Sequence, residues 1–495
     1  MLLTRRGLLI SAGLLSSGGA FAQQSPAAKI TAPPAPFGAV PSARQLRWHA
    51  LETTAFLHFT VNTFTNKEWG YGDEDPSIFN PTAFDADAIV AALAAAGMRG
   101  VILTAKHHDG FCLWPTQTTD HSIRASSWRS GQGDVVRDIS AAAARAGLSF
   151  GVYLSPWDRN NAAYGTPAYI DIYRRQLTEL LTNYGPIFEV WHDGANGGDG
   201  FYGGAKEKRT IDKRTYYDWP KTWQLVRKLQ PNAVIFSDVG PDVRWVGNER
   251  GIAGDPCWAS YDPVAANGGP ASPGDVRERE SPAGTRHGTR WLPAECDVSI
   301  RPGWFWHESE NAEVKPAGTL IRLYYNSVGR GANLLLNVPP NREGLLSKED
   351  IASLAEFGKY RRETFARNLA ADSKAASSSV RGNFTPANLV DNRPETYWAA
   401  DDAARECEVT FDLPSEKSFS VIRIAEAIRF GQRVDAIAVD RWNGNAWDQI
   451  ATATSVGPHR LVRLTAPIKA QRLRLRVTQA SASPALSEFA IYAEA

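Results

Sequence analysis

The sequence predicts an α/β protein in which a (β/α)8-like, TIM-type barrel is followed by a C-terminal all-β sandwich. Strand-like and helix-like segments alternate over residues 45–368. The strand-like segments are apolar almost throughout, which is typical of parallel sheets that are covered on both faces. Beyond residue 380 the helical pattern gives way to short segments of alternating polarity. Seven or eight β–α units in this length favour a closed barrel over an open sheet.

The composition is that of a large globular chain with little net charge. It has 495 residues, a formal net charge of +1 and 22% charged residues. A nucleic-acid partner would require a basic face, so none is expected. The four cysteines are scattered without CxxC or zinc-ligand spacing. The length predicts two or three domains that require no disulfide framework.

Residues 1–22 have the pattern of a signal peptide of the twin-arginine type. Arg5 and Arg6 precede an apolar run at 7–15, and Ala20-Phe21-Ala22 fits a small-x-small cleavage site. An ordinary Sec signal is the alternative, and either one predicts a bacterial protein that is periplasmic or secreted. The apolar run is too short to span a bilayer, and no later run reaches that length.

The elements of the barrel follow a Pro-rich lead-in at residues 23–45. Strands are predicted at 55–64, 100–106, 149–154, 187–191, 233–236, 296–300 and 333–338. Helices are predicted at 85–96, 134–146, 169–184, 219–229, 320–328 and 347–368, the last with a capping-box-like start at Ser347. The region between 236 and 296 is poorly patterned, so an irregular barrel is expected.

The C-terminal part begins after an Ala/Ser-rich stretch at 370–382, which reads as a linker. Alternating strands are predicted at 408–413, 418–424, 434–441, 461–464 and 472–477. Short, evenly spaced strands of this kind favour an antiparallel sandwich over residues 380–495. Because the linker contains few groups to bury, a chain ending near Asn368 is expected to fold alone.

The candidate active site lies where the strands end. The run 187–191 ends in Asp193-Gly194, and the carboxyl ends of parallel strands open on the active-site face of a barrel. Glycine at 194 allows a sharp turn and a close approach of substrate. An Asp that only caps the strand-to-helix turn is the alternative interpretation. Other strands end in similar polar clusters, which makes Asp193 one member of a predicted ring.

The ring also contains imidazole, indole and phenol groups. Its further members are His58, Glu68, Trp69, His107, His108, Tyr153 and Asp238. Adjacent residues of a strand point to opposite faces, so His107 and His108 would be a poor chelate and no metal is predicted. Imidazoles beside Glu and Trp instead suit hydrogen bonds to several hydroxyls, with the indole against a sugar ring.

Carboxylates at a barrel mouth with aromatic neighbours indicate glycoside hydrolysis, which needs a nucleophile or base and a proton donor. Asp193 is the candidate nucleophile because it is short and held at a strand end. Four residues on later loops could be its partner, and spacing does not choose among them: Asp238, Asp242, Glu249 and Glu295.

Several ordered motifs resemble one enzyme family. The run 107–111 (His-His-Asp-Gly-Phe), Glu68-Trp69 and Trp191-His192-Asp193-Gly194 resemble glycoside hydrolase family 29, the retaining α-L-fucosidases. The runs 240–249 and 293–305 resemble the subfamily that acts on α-1,3/1,4-linked fucose. The resemblance extends over residues 45–368. His192 is a departure, because many members have an apolar aromatic residue there.

The resemblance implies the roles of the site residues. Asp193 would be the nucleophile and Glu249 the acid/base, and a long loop would have to fold back over the mouth to join them. The residues that would hold substrate are His58, Glu68, Trp69, His107, His108, Tyr153, Arg301 and Trp304. The implied partner is a fucosylated oligosaccharide or glycoconjugate, with no cofactor required. Another retaining exo-glycosidase, such as an α-galactosidase, and a non-catalytic glycan-binding protein are the alternatives.

The run 389–398 (Leu-Val-Asp-Asn-Arg-Pro-Glu-Thr-Tyr-Trp) has a resemblance of its own. It is similar to discoidin-like modules, the F5/8 type C or family 32 carbohydrate-binding modules, over nearly all of residues 380–495. Some such modules bind a structural calcium ion near the position of Asp391. The resemblance therefore implies a sugar-binding domain in which structural calcium is possible.

Overall fold

A computed structural model describes residues 32–495, so the predicted signal peptide at 1–22 lies outside the described residues. Eight parallel strands, each paired with its neighbours in chain order, close into a barrel in which the first strand pairs with the eighth. The fold class is therefore confirmed. The strands are Thr53–Leu57, Gly100–Lys106, Ser149–Leu154, Glu189–Trp191, Val234–Ser237, Val243–Trp245, Ala294–Ser299 and Asn333–Asn337.

Helices surround most of the barrel. Their bounds are Ala43–His49, Val61–Thr65, Ala86–Ala95, Val135–Ala146, Pro167–Asn183, Trp219–Leu229, Ala317–Asn326 and Lys348–Thr364. No α-helix separates the fifth, sixth and seventh strands, so the barrel is irregular where the sequence pattern is weak. No helix in residues 32–495 has the length and apolar character needed to cross a bilayer.

Three local predictions were wrong. The strand expected at 55–64 ends at Leu57, because Thr60 caps the short helix Val61–Thr65 by accepting the N–H of Asn62 at 3.2 Å. The sixth strand, Val243–Trp245, was not predicted at all. At the start of the last helix, Ser347 makes no capping hydrogen bond, since its hydroxyl accepts the indole N–H of Trp306 at 2.7 Å.

The C-terminal domain is an antiparallel sheet with its own apolar core, as predicted. Its strands are Lys374–Ser377, Trp398–Ala399, Cys407–Glu426, Val434–Trp442, Trp447–Thr454, Arg460–Ala480 and Ala485–Tyr492. The first of these lies within the stretch predicted as a linker, where Ala375 pairs with Phe411. The segment between barrel and sheet is therefore built into the sheet.

Barrel and sheet share a buried interface. Val421, Leu461 and Tyr492 from the sheet are buried in the same apolar cluster as the barrel helices. Arg423 of the sheet donates to the carboxylate of Glu52, just before the first barrel strand, at 2.9 Å, and both side chains are largely buried. This interface argues against the expectation that the barrel folds alone, which stays a prediction until a truncated chain is measured.

A chain that ends at Asn368 should aggregate or unfold at a much lower temperature than the full chain. Truncation exposes the shared apolar cluster to water and removes Arg423, the ion-pair partner of Glu52. Thermal unfolding and size-exclusion chromatography of both chains measure the effect. A monomeric barrel that melts with the full chain would contradict it.

Point variants in the full chain measure how much the Glu52–Arg423 contact itself contributes to the free energy of unfolding. Arg423→Ala should lower the free energy of unfolding by about 3 kcal/mol, because Glu52 stays buried. Arg472→Ala removes an exposed pair with Asp412, with side chains 46% and 56% exposed, and should cost less than about 1 kcal/mol. Equal losses in the two variants would contradict the interface assignment.

Candidate active site

A cavity of about 500 Å³ opens at the carboxyl ends of the barrel strands. Of the residues to which the family resemblance assigns a role, all except Arg301 line it: His58, Glu68, Trp69, His107, His108, Tyr153, Asp193, Glu249 and Trp304. Since these residues come from six of the eight strand ends and their loops, the barrel topology alone brings them together.

Asp193 lies directly after the fourth strand and is fixed by two donors. Its Oδ2 accepts the hydroxyl of Tyr153 at 2.8 Å, and its Oδ1 accepts the N–H of Ala195 at 2.7 Å. His108 Nε2 lies 3.7 Å from Oδ2. A Cβ at Gly194 would lie 2.3 Å from a carboxylate oxygen of Asp238. Glycine at 194 thus makes room for Asp238 rather than for substrate.

The three histidines form one neutral group. His107 and His108 both face the cavity because the second strand ends at Lys106, so strand alternation does not apply to them. Their ring centroids are 4.1 Å apart. Burial, the largest cause, lowers the pKa of His58 and of His108 to about 3 and that of His107 well below its usual value. At neutral pH each ring can therefore donate through one nitrogen and accept through the other.

Second partners orient two of these rings. His58 Nδ1 lies 2.8 Å from the amide oxygen of Asn337, at the end of the eighth strand. His108 Nδ1 lies 2.8 Å from the hydroxyl of Ser155. Each contact leaves the opposite nitrogen, Nε2, available on the cavity side. This arrangement presents hydrogen-bonding groups to several hydroxyls at once.

Glu249 follows the sixth strand by four residues and lines the same cavity as Asp193, which follows the fourth strand. The expectation that a long loop folds back over the barrel mouth was wrong. The sixth strand, Val243–Trp245, ends at the mouth and places Glu249 in the cavity. The indole N–H of Trp304 donates to its Oε2 at 3.3 Å. Trp304 thus touches the carboxylate and lines the cavity beside it.

Glu68 is held by the loop after the seventh strand. Its carboxylate accepts the N–H groups of Trp304 at 2.8 Å and Phe305 at 3.2 Å, and it lies 2.6 Å from His307 Nε2. The contacts join the first and seventh strand ends, so the loop that carries Trp304 closes one side of the cavity. Trp69, beside Glu68, is 51% exposed and packs edge-on against His108.

The four candidate partners of Asp193 separate by position. Asp238 and Glu249 line the cavity, whereas Asp242 and Glu295 do not. Asp242 is bonded to the guanidinium of Arg227 and accepts the N–H of Ile235 at 2.8 Å. Glu295 is buried inside the barrel, where it accepts the indole N–H of Trp191 at 2.9 Å. The positions therefore leave Asp238 and Glu249 as candidates for the acid/base partner of Asp193.

Two residues singled out in the sequence lie away from the cavity. Arg301 is fully buried and binds the carboxylate of Asp350 at 3.0 Å and the amide oxygen of Asn311 at 2.9 Å, so it does not contact substrate. Its predicted place among the substrate-binding residues is wrong. His192 is buried behind the fourth strand, 2.9 Å from the hydroxyl of Tyr173. The His192 ring therefore does not orient the Asp193 carboxylate, which is bonded to Tyr153 and Ala195 instead.

Sequence reasoning missed several residues of the wall. They are Phe56, Trp191, Lys213, Trp245, Asp275, Glu278 and Asp297. Asp297 accepts the indole N–H of Trp245 at 2.7 Å. Its alternation with apolar neighbours in the seventh strand was an available signal, because inward-facing positions of a barrel strand recur at every second residue.

The cavity environment raises the pKa of each of three carboxyl groups in its wall. Burial raises the pKa of Asp193, although its bonds to Ala195 and Tyr153 oppose the rise. Burial and the nearby Asp193 charge raise the pKa of Glu249, against the bond from Trp304. Burial raises the pKa of Asp238 to about 7, against the N–H of Gly274 at 2.6 Å. The carboxyl groups of Asp193, Glu249 and Asp238 are therefore all harder to ionise than free carboxyl groups.

No group of three or more His, Cys, Asp or Glu side chains in residues 32–495 is arranged to hold a metal ion. Near the expected calcium position, the Asp391 carboxylate accepts the N–H of Arg393 at 2.9 Å and the hydroxyl of Thr396 at 2.7 Å. These local bonds do not assemble a calcium site. Calcium binding by this domain stays a prediction.

A closed barrel with paired carboxyl groups, neutral imidazoles and indoles in one cavity has the construction of a glycoside hydrolase. Comparison with protein families is consistent with that class. The family described as α-L-fucosidase matches residues 37–364, and the F5/8 type C domain matches residues 373–491. The chain belongs to the α-L-fucosidase family, glycoside hydrolase family 29, and carries a C-terminal F5/8 type C domain.

Individual relatives extend over nearly the whole chain. α-L-fucosidase 1 of Arabidopsis thaliana is 44% identical over 467 residues, 93% of this chain and 88% of the relative. A Ruminococcus gnavus family 29 fucosidase in complex with fucose is 33% identical, with a TM-score of 0.84, covering 94% of this chain and 97% of that one. A family 29 member from a rumen bacterium is 40% identical, with a TM-score of 0.81, covering 93% and 78%.

Proposed function

We propose that this enzyme removes terminal α-L-fucose, α-1,3/1,4-linked, from fucosylated glycans by a retaining double displacement. Asp193 attacks the anomeric carbon while Glu249 protonates the leaving oxygen. Glu249, now ionised, then takes a proton from the water that hydrolyses the fucosyl-enzyme. The scheme needs no cofactor.

One observation carries the proposal: Asp193 and Glu249 line the same cavity from the fourth and sixth strand ends, in different environments. Asp193 accepts two hydrogen bonds, which favour its ionised form, while Glu249 accepts one bond in a half-exposed setting. Neutral His58, His107 and His108 beside them suit the hydroxyls of a sugar. This division supports a nucleophile and a separate proton donor.

Two measurements test the proposal together. Proton NMR during the first minutes of aryl α-L-fucoside hydrolysis should detect α-fucose before the anomers equilibrate. Lewis-type trisaccharides should be cleaved at least about tenfold more efficiently than 2'-fucosyllactose, a difference of about 1.4 kcal/mol in the transition state. First formation of β-fucose would overturn retention, and faster cleavage of 2'-fucosyllactose would overturn the linkage.

The plot of rate against pH should be bell-shaped. Both limbs should lie at higher pH than they would if the two carboxyl groups had ordinary pKa values. Asp193 must be ionised, so its raised pKa moves the acid limb upward. Glu249 must be protonated, so its raised pKa moves the alkaline limb upward. The pH dependence of kcat/KM measures both limbs.

In Glu249→Gln the alkaline limb that the wild type shows with the same aryl substrate should disappear, because the amide does not titrate. The acid limb, which reports Asp193, should remain. Glu308→Gln alters an exposed carboxylate of a surface 3-10 helix and should retain both limbs. An unchanged alkaline limb in Glu249→Gln would assign the proton donor to another group.

Export completes the proposal, with residues 1–22 as a leader of the twin-arginine type. Arg5-Arg6 before a short apolar run supports it. Expression in a bacterium followed by fractionation should recover a periplasmic chain that starts near Gln23. Replacing both arginines by lysine should retain the chain in the cytoplasm, whereas continued export would favour the Sec route.

A further inference from the structure

A chain of cavities leads away from the catalytic cavity over Trp69. An intermediate cavity of about 500 Å³ shares Glu68 and Trp69 with the catalytic cavity. An outer cavity, also of about 500 Å³, shares Tyr71 and Asp199 with the intermediate one. A ligand in the catalytic cavity could therefore continue along one surface as far as Tyr71.

Tyr71 stands on a fixed turn. The carboxylate of Glu74 accepts the N–H groups of Tyr71 at 2.7 Å and Gly72 at 2.8 Å. A Cβ at Gly72 would lie 2.3 Å from the carbonyl of Arg159, so the turn is pressed against that backbone. The guanidinium of Arg159 lies 4.5 Å from the centroid of the Tyr71 ring. Both the backbone and the ring of Tyr71 are thus held before any ligand arrives.

Tyr71 as a residue is nevertheless 53% exposed, close to the 51% of Trp69. A fixed aromatic ring that stays in water contributes little to folding, since burial is what stabilises it. Such rings are well suited to pack against the C–H face of a pyranose. The exposed part of Tyr71 faces the intermediate and outer cavities.

The opposite wall is built by an insertion after the fourth strand. Strands Gly198–Gly200 and Glu207–Arg209 form a two-stranded hairpin, which is marginal on its own and needs anchors. Phe201, at its turn, donates its N–H to the carbonyl of Tyr71 at 3.0 Å. The hairpin therefore places a second aromatic ring, Phe201, beside Tyr71 in the outer cavity.

The polar groups of the outer cavity carry both signs of charge. Asp73, Asp199 and Glu207 supply acceptors, and Lys206 and Lys208 supply donors. Lys206 lies 3.7 Å from Asp73, so part of this charge is already paired. A wall with three acidic groups, two basic groups and two aromatic rings has little net charge, which favours a neutral, hydroxyl-rich ligand over an ionic one.

We propose that Tyr71 and Phe201 form a second saccharide subsite, which takes a neutral pyranose of the glycan at least one residue removed from the fucose. The subsite rests on the proposed function, because its ligand is part of the same substrate. Remote binding of this kind improves the capture of long glycans and leaves small fucosides unaffected, since they do not reach Tyr71.

Kinetics with substrates of increasing length test the subsite in the full chain. KM and kcat are measured for an aryl α-L-fucoside, a Lewis-type trisaccharide and a fucosylated pentasaccharide. Tyr71→Ala and Phe201→Ala should each raise KM about tenfold for at least one oligosaccharide. Values for the aryl fucoside should stay within about twofold, because neither residue lines the catalytic cavity.

Two further variants serve as controls. Tyr71→Phe keeps the ring and should behave like the wild type. Ile351→Ala alters a 42% exposed side chain on the distant helix Lys348–Thr364 and should change no constant. Unchanged KM for both oligosaccharides, or an equal rise for the aryl fucoside, would overturn the subsite. A wild-type enzyme that cleaves no fucoside would instead overturn the proposed function.

Discussion

Replacing Asp193 by Ala or Asn should lower kcat for an aryl α-L-fucoside by at least about 10³-fold, equivalent to about 4 kcal/mol. Asp193 lines the cavity, and Tyr153 and Ala195 fix its two carboxylate oxygens in the position from which it would attack. The fold should survive, because the side chain is partly open to the cavity. Initial rates and thermal unfolding of the same samples measure both effects.

Azide distinguishes loss of the nucleophile from general damage. In Asp193→Ala a small anion can occupy the vacated space and attack directly, so β-fucosyl azide of inverted configuration should form. Asp171→Asn, an exposed position on helix Pro167–Asn183, should keep the wild-type rate. If Asp193→Ala keeps more than about a tenth of the rate, Asp193 does not form the covalent bond.

Glu249→Ala should lose activity according to the leaving group. With a sugar leaving group, which needs protonation, kcat/KM should fall about 10²–10⁴-fold. With an activated aryl group the first step should survive, and hydrolysis of the fucosyl-enzyme should become limiting. Steady-state and burst kinetics on both substrates measure this difference.

Added azide should accelerate Glu249→Ala and yield α-fucosyl azide of retained configuration, because the anion needs no general base. Asp238→Ala is the matched comparison, since Asp238 also lines the cavity and has a raised pKa. Rescue of Asp238→Ala without rescue of Glu249→Ala would move the acid/base role to Asp238.

Seven of the eight barrel strands, although not the end of the first, and Asp193 could be predicted because their signals are local. A buried parallel strand is an apolar run, and the residue at its end faces the mouth. The sixth strand gave no such signal, since Val243–Trp245 has only three residues and Arg244 at its centre. Arg244 is fully buried because carbonyls of Trp258 and Ser281, distant in sequence, accept its guanidinium.

A charged residue in a motif can contact substrate or can form an ion pair inside the protein, and the sequence does not show which. Arg301 belongs to a family-like run, yet its guanidinium binds Asp350 on the last helix, a partner that appears only in three dimensions. The prediction of a linker at residues 370–382 was wrong for a similar reason. Small residues such as Ala375 and Ala376 carry no strand signal, but they pair along the long strand Cys407–Glu426.

A covalent fucosyl-enzyme on Asp193 is the most direct test. A 2-deoxy-2-fluoro fucosyl fluoride should react in the first step and stall in the second, because the fluorine destabilises both transition states while fluoride leaves readily. Mass spectrometry of the intact chain should find one added fluorofucosyl group, and peptide mapping should place it on Asp193. A label on another residue, such as Asp238, or fast turnover without any label under the same conditions, would contradict the assignment.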